Sequence, residues 1–193
     1  VGIANDGLLT NLAELTSHLE QRGAIFQSTT NSEAILHMMA QKSHMQPIDA
    51  LVDALKKVKG SYAITVLLEN CLVAARDPYG FKPLVIGERD GTFYAASESC
   101  SLDIVGATLL RDVQPGEIVV IGSGGIKSLR VRQEHCGRCM HCSFEYVYTA
   151  RPDSIIDGCS VYEARKEMGR RLAKKSPCEG ANLAAGMPDS GTI

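Results

Sequence analysis

An α+β fold is predicted by three features of the chain. Three amphipathic helical segments come first. A series of short, closely spaced strands follows, which implies antiparallel pairing. Near residue 150 the character changes to a polar connector and a strongly charged helix, so a helix-containing, β-rich domain is expected over 1–150 and the opening of an α/β domain over 151–193.

Each element has its own signal. VGIA at 1–4 is β-prone, and NDG at 5–7 is a turn signal. In LTNLAELTSHLEQRG (9–23), Leu9, Leu12, Leu15 and Leu19 recur at helical spacing, with Asn11 as N-cap and Gly23 as stop. AIF at 24–26 reads as a strand. TTNSEAILHMMAQ starts a second helix, which Asn31 can cap and Glu33 suits electrostatically. The third helix runs over 48–60 and stops at Gly60. Strands are expected over 61–69, 71–77, 84–90 and 92–98, a short helix over 102–107 and a hairpin around SGG over 117–131. FEYVYTA (144–150) reads as a further strand, 161–176 as the charged helix, and 181–192 as a strand running into a loop.

The bulk composition narrows the class. Of 193 residues, 45% are apolar and 22% charged, enough for a core of useful size. A net charge of -2 gives no electrostatic case for nucleic acid or an anionic membrane. No apolar run approaches the roughly 18 residues a membrane helix needs, and no secretory leader is visible. Seven cysteines is an odd number, and four of them are scattered, which favours a reducing compartment over a disulfide framework. Val1 and the terminal DSGTI read as cut ends.

Chemistry concentrates in HCGRCMHC at 135–142. Cys136, Cys139 and Cys142 with His135 or His141 could form a Cys₃His zinc site, although such sites more often draw ligand pairs from separate segments. The row also resembles part of a ferredoxin-like run. Cys100, in SESC, reads as a structural cysteine in a strand-to-helix turn, since a reactive thiol needs an activating environment. Arg76 and Asp77 in RDPYGFKP form at most a weak surface pair, and Pro78 and Gly80 fix a turn.

Eight blocks carry a resemblance: GLLTNLAELTSHLEQRGAIFQSTTNSEAIL, KKVKGSYAITVL, AARDPYGFKPLVIG, ASESCSLDIVGA, RDVQPGEIVVI, CSFEYVYTARPDSIIDG, VYEARKEMG and GMPDSGT. In order and content they resemble the amidophosphoribosyltransferases over nearly the whole chain. The resemblance implies a class II glutamine amidotransferase domain of the Ntn-hydrolase type (an αββα sandwich) followed by the start of a phosphoribosyltransferase domain. In that family, ammonia released from glutamine displaces pyrophosphate from phosphoribosylpyrophosphate, the first step of purine synthesis. Members are commonly homo-oligomers, and a cytoplasmic setting is expected.

The resemblance also assigns residues. The family's N-terminal cysteine nucleophile falls before Val1, so this chain alone is expected to be inert. Asn5, Asp6 and Gly7 stand where the family usually has His-Asn-Gly, which places Asp6 and Gly7 at the oxyanion-hole positions. An ionised Asp cannot donate a hydrogen bond, and losing one such donor typically costs about 3–4 kcal/mol of transition-state stabilisation. A plain Asp-Gly turn is the alternative. Asn31 stands where the family has an Asp that holds the glutamine α-amino group, or else it is only an N-cap. Cys142 stands where many members have one ligand of a [4Fe–4S] cluster. Ser190, in PDSG, stands where a hydroxyl binds Mg²⁺, the paired aspartates of that site falling beyond the chain. Two other readings stay open: a degenerate, non-catalytic binding or regulatory module, and a small metal-binding protein built on Cys136, Cys139 and Cys142.

Overall fold

A computed structural model describes residues 1–131, 139–187 and 191. Helices α1 (Leu12–Glu20), α2 (Asn31–Ala40) and α3 (Pro47–Lys57) cover one face of a five-stranded antiparallel sheet. Its strand order is β1 (Gly2–Asp6), β2 (Ala63–Leu67), β3 (Cys71–Arg76), β7 (Glu117–Gly122) and β8 (Gly125–Arg130), with β1 at one edge. A three-stranded antiparallel sheet lies on the other face, with β4 (Val85–Arg89) between β5 (Thr92–Ala96) and β6 (Thr108–Asp112). The short helix α4 (Ser99–Ile104) closes the far side.

Strand alternation builds these layers. Ile64, Val73 and Ile118 join Leu19, Ile35, Leu51 and Leu55 in the core beneath the helices. Their neighbours in sequence, Ala63, Ala74 and Val119, point the other way and meet Leu84, Ile86 and Val113 between the sheets. Val85, next to Ile86, turns outward to Leu102 and Ala107 beside α4. Period-two side-chain placement thus gives one strand two cores. The result is the αββα order of layers, and the α+β class follows from it.

Several boundaries differ from expectation. Asn5 and Asp6 lie within β1, paired with Ile64 and Ala63, so the chain turns only at Gly7. Residues 24–26 form no strand, and the Phe26 ring instead packs on His37 at 4.6 Å between centroids. Asn11 occupies the cap position of α1 but makes no cap bond. Its amide donates to the Lys57 carbonyl and accepts from the Lys59 N–H, both at 3.0 Å, which ties α1 to the end of α3. The short helix begins at Ser99 rather than 102, and β6 follows it where no strand was expected. Residues 181–187 form no strand.

The largest departure is FEYVYTA. It forms a π-helical turn, Glu145–Thr149, rather than a strand. Two carbonyls there gain a charged donor: Arg165 donates to the carbonyls of Tyr146 and Ala150, each at 2.7 Å. Arg165 belongs to α5 (Val161–Lys175), whose first turn is capped by the Ser160 hydroxyl. Ahead of α5, β9 (Ile155–Ile156) and β10 (Cys159–Ser160) form a two-residue hairpin. Its turn is Asp157–Gly158, with φ of 47° and 76°. Asp-Gly tolerates that left-handed pair, as mirror-image hairpin turns require.

A buried carboxylate stabilises the sheet junction. Glu117, 5% exposed, accepts from Arg111 Nη1 and Nη2 at 2.8 Å each, from the Ser128 hydroxyl at 2.6 Å and from the Gln114 N–H at 2.8 Å. Burial opposes its ionisation, but these donors outweigh burial and hold the carboxyl below the usual carboxylate range. A carboxyl with a lowered folded pKa adds stability above its unfolded pKa and loses it as pH falls through the folded value. Denaturation midpoints measured from about pH 6 to 2 should therefore fall less steeply in Glu117→Gln than in the unaltered protein. Parallel slopes would contradict this assignment.

Candidate functional site

Gly7 and Asn31 come together at the end of β1. The Asn31 amide nitrogen donates to the Gly7 carbonyl at 3.0 Å. Asn31 is the first residue of α2, and Thr30 occupies the cap position, so Asn31 is not the helix cap. The loop before it is held by Glu33, which accepts from the Gln27 and Ser28 N–H groups at 2.7 and 2.8 Å. The Ser28 hydroxyl and these N–H groups keep the Glu33 carboxyl below its ordinary range. An amide nitrogen only donates, so the Asn31 carbonyl oxygen is the atom able to accept from an ammonium.

Gly7 has φ +131° and lies against Ser61 and Tyr62, just ahead of β2. A Cβ there would run into the Ser61 carbonyl and come within 2.9 Å of the Tyr62 Cα. The position thus requires glycine both for its backbone angles and for its space.

Asp6 faces the inter-sheet side, because its partner Ala63 belongs to that core and paired residues share a face. Its side chain is 53% exposed, and Lys82 Nζ stands 3.5 Å from Oδ2. The same ammonium lies 2.8 Å from Glu145 Oε1 in the π-helical turn. Burial works against the Lys82 charge, but Glu145 and Asp6 together hold its pKa above the usual value. Neither Lys82 nor Glu145 was singled out in the sequence, where they lie 63 residues apart.

The RDPYGFKP turn is more than a turn. Arg76 is fully buried and does not pair with Asp77. Its guanidinium grips Asp157 in a two-pronged contact at 2.7 and 2.8 Å, and donates to the carbonyls of Lys82, Val113 and Gly80 at 2.6, 3.0 and 3.0 Å. Asp77 instead accepts the N–H groups of Tyr79, Phe81 and Tyr62 at 2.9, 3.0 and 3.3 Å. Burial pushes the Asp77 carboxyl up, and those donors oppose it.

The cysteine row packs on this turn: Met140 N–H donates to the Tyr79 carbonyl at 2.7 Å, and Cys142 N–H to Phe81 at 3.3 Å. His135 and Cys136 lie outside the described residues, as does Ser190. Cys139, His141, Asp112 and Asp157 help line a cavity of about 420 Å³. His141 Nδ1 is 3.9 Å from the Cys139 sulfur and 2.7 Å from Asp157 Oδ2. Both contacts fall on one ring nitrogen, so they are not a thiol–imidazole–carboxylate relay, which uses both nitrogens. Burial and Asp157 also push the Cys139 thiol up, away from a reactive thiolate. Among the described residues, no three His, Cys, Asp or Glu side chains gather as a metal would require. Cys100 is buried in α4, its sulfur 3.9 Å from Glu98, in keeping with a structural role.

Residues 1–103, which include β1, α2 and the Arg76 turn, match the family described as "Glutamine amidotransferase domain". The chain belongs to that family. Relatives of this glutamine amidotransferase domain include the amidophosphoribosyltransferase of Rhizobium etli, 41% identical over 197 residues, which span 100% of this chain and 39% of the relative. The Bacillus subtilis amidophosphoribosyltransferase is 40% identical over 190 residues, 98% of this chain and 39% of its own length. A solved structure of the B. subtilis enzyme, complexed with ADP and GMP, superposes with a TM-score of 0.94 at 39% identity, covering 98% of this chain and 41% of that one. A second structure, described as the allosteric regulatory enzyme of purine biosynthesis, gives a TM-score of 0.93 at 39% identity, covering 99% of this chain and 40% of that one. This amidotransferase chain thus spans about two-fifths of the length of the relatives it matches. Among its described residues, no helix is long and apolar enough to cross a membrane.

Proposed function

We propose that the chain is the glutamine-binding part of an amidophosphoribosyltransferase, which supplies ammonia for the conversion of phosphoribosylpyrophosphate to phosphoribosylamine in the cytoplasm. The observation that carries this reading is the TM-score of 0.94 over 98% of the chain, a match that runs well past residue 103. Gly7 and Asn31 are the ligand-binding pair, with the Asn31 carbonyl oxygen receiving the glutamine α-amino group. Cys142 suits a [4Fe–4S] cluster as one thiolate, whereas such a cluster takes four as a rule. The described residues do not fit a metal by themselves, and no chemical step is routed through one. Mg²⁺ at Ser190 remains part of the same proposal for the longer protein.

Calorimetric titration of L-glutamine into the chain should give saturable binding near one site per chain. Absence of heat at millimolar glutamine would overturn the reading. A second reading, a binding module without amide chemistry, is favoured by the charge of Asp6 where an amide donor is expected. Ammonia release above a buffer control excludes that second reading, whereas binding without release is expected of both, because this chain alone is expected to be inert.

A further inference from the structure

Lys82 is built into the molecule from both ends. Its carbonyl accepts the Nε–H of buried Arg76 at 2.6 Å, and the N–H before it, on Phe81, is held by Asp77. Its ammonium is anchored at 2.8 Å by Glu145, a side chain only 6% exposed. A lysine so fixed does not wander as surface lysines do. Asp6 lies within 3.5 Å of it, one residue before Gly7. In isolation, an Asp carboxylate beside Gly7 would repel any ligand atom that carries negative charge. The arrangement instead brings one fixed positive charge to it.

We propose that Lys82 is a positioning residue of the amide site: anchored by Glu145, it partly offsets the charge of Asp6 so that a ligand oxygen with partial negative charge is accepted beside Gly7. The proposal rests on the glutamine reading above. It also ties the end of β1 to the Glu145–Thr149 turn, so that two segments far apart in sequence share one charge.

The test compares affinities for L-glutamine and L-glutamate, which differ in the charge of the side-chain end. In Lys82→Met the preference for glutamine over glutamate should rise roughly tenfold, since the acid now meets an uncompensated Asp6. Adding Asp6→Asn to that variant should bring the preference back to within about twofold of the unaltered protein, because both then carry the same net charge at Lys82, Asp6 and Glu145. A purely structural Lys82 would weaken both ligands alike and would not be rescued by Asp6→Asn, because Glu145 stays unpaired in both variants. An unchanged preference in Lys82→Met, or a changed one without rescue, overturns the proposal. A second arm needs no ligand. With lysine ¹³C-labelled at Cε, the Lys82 resonance, assigned by its loss in Lys82→Met, should move in Asp6→Asn; a stationary signal overturns the charge contact. If the unaltered protein binds neither amino acid, the glutamine reading fails and takes the ligand half of the proposal with it. The resonance still decides the charge half.

Discussion

Replacing Arg76 with methionine is expected to destabilise the protein by about 3–5 kcal/mol, the cost of removing one partner from a buried ion pair. Arg76 is fully buried, and its loss strands more than Asp157. The carbonyls of Lys82, Gly80 and Val113 also lose their donor, and a buried acceptor left unpaired carries its own desolvation cost. Urea denaturation at neutral pH measures the difference. Asp157→Asn isolates the charge, because Asn tolerates the left-handed backbone that residue 157 adopts. It should cost less than Arg76→Met and still exceed about 1 kcal/mol. A loss below that in both variants would show that the pair contributes nothing to holding residues 155–160 on the sheet layers.

The other large effect is expected at Gly7. Gly7→Ala must hold an alanine at φ +131° and also force the Ser61–Tyr62 backbone away. Backbone strain and overpacking together predict a loss of about 2–6 kcal/mol. Gly23→Ala is the matched control: φ is +88° there, but nothing lies within 4 Å of the added Cβ. Only the strain part should remain in that variant. If thermal denaturation ranks the two variants equally, the close passage of Gly7 and Ser61 is not what fixes the end of β1. Glutamine affinity should fall with Gly7→Ala and hold with Gly23→Ala, since only Gly7 touches Asn31.

Much of the fold was legible because its signals are local. The leucine spacing of α1, the strand run from β2 to β5 and the β7–β8 hairpin at Gly125 all follow from period and turn chemistry. The Glu145–Thr149 turn was not legible. Tyr and Val favour strands as residue types, and the guanidinium that satisfies its carbonyls arrives from α5, beyond the reach of any local pattern. Arg76 failed for a related reason. Its nearest acid in sequence is Asp77, but its partner is 81 residues away. At the candidate site, the resemblance assigns Asp6, Gly7 and Asn31, with a helix cap as the alternative for Asn31, and no local pattern says that the Asn31 amide reaches back to the Gly7 carbonyl while Thr30 takes the cap position. Lys82 carried one weak signal, its place in RDPYGFKP, and nothing in that motif names Asp6 or Glu145 as its partners.

The position of β1 at the rim of its sheet gives Asp6 a second consequence. One side of β1 pairs with β2, and among the described residues no strand pairs with the other. Such an edge is a template onto which another chain can add a strand, and natural sheets commonly discourage this with a charge on the outermost strand. Asp6 is the charged residue of GIAND, at the end of a strand otherwise made of small, apolar or neutral residues. The carboxylate that departs from the expected amide donor therefore also puts a charge on that outermost strand, which disfavours addition of a further strand there. Restoring the amide there would remove that charge.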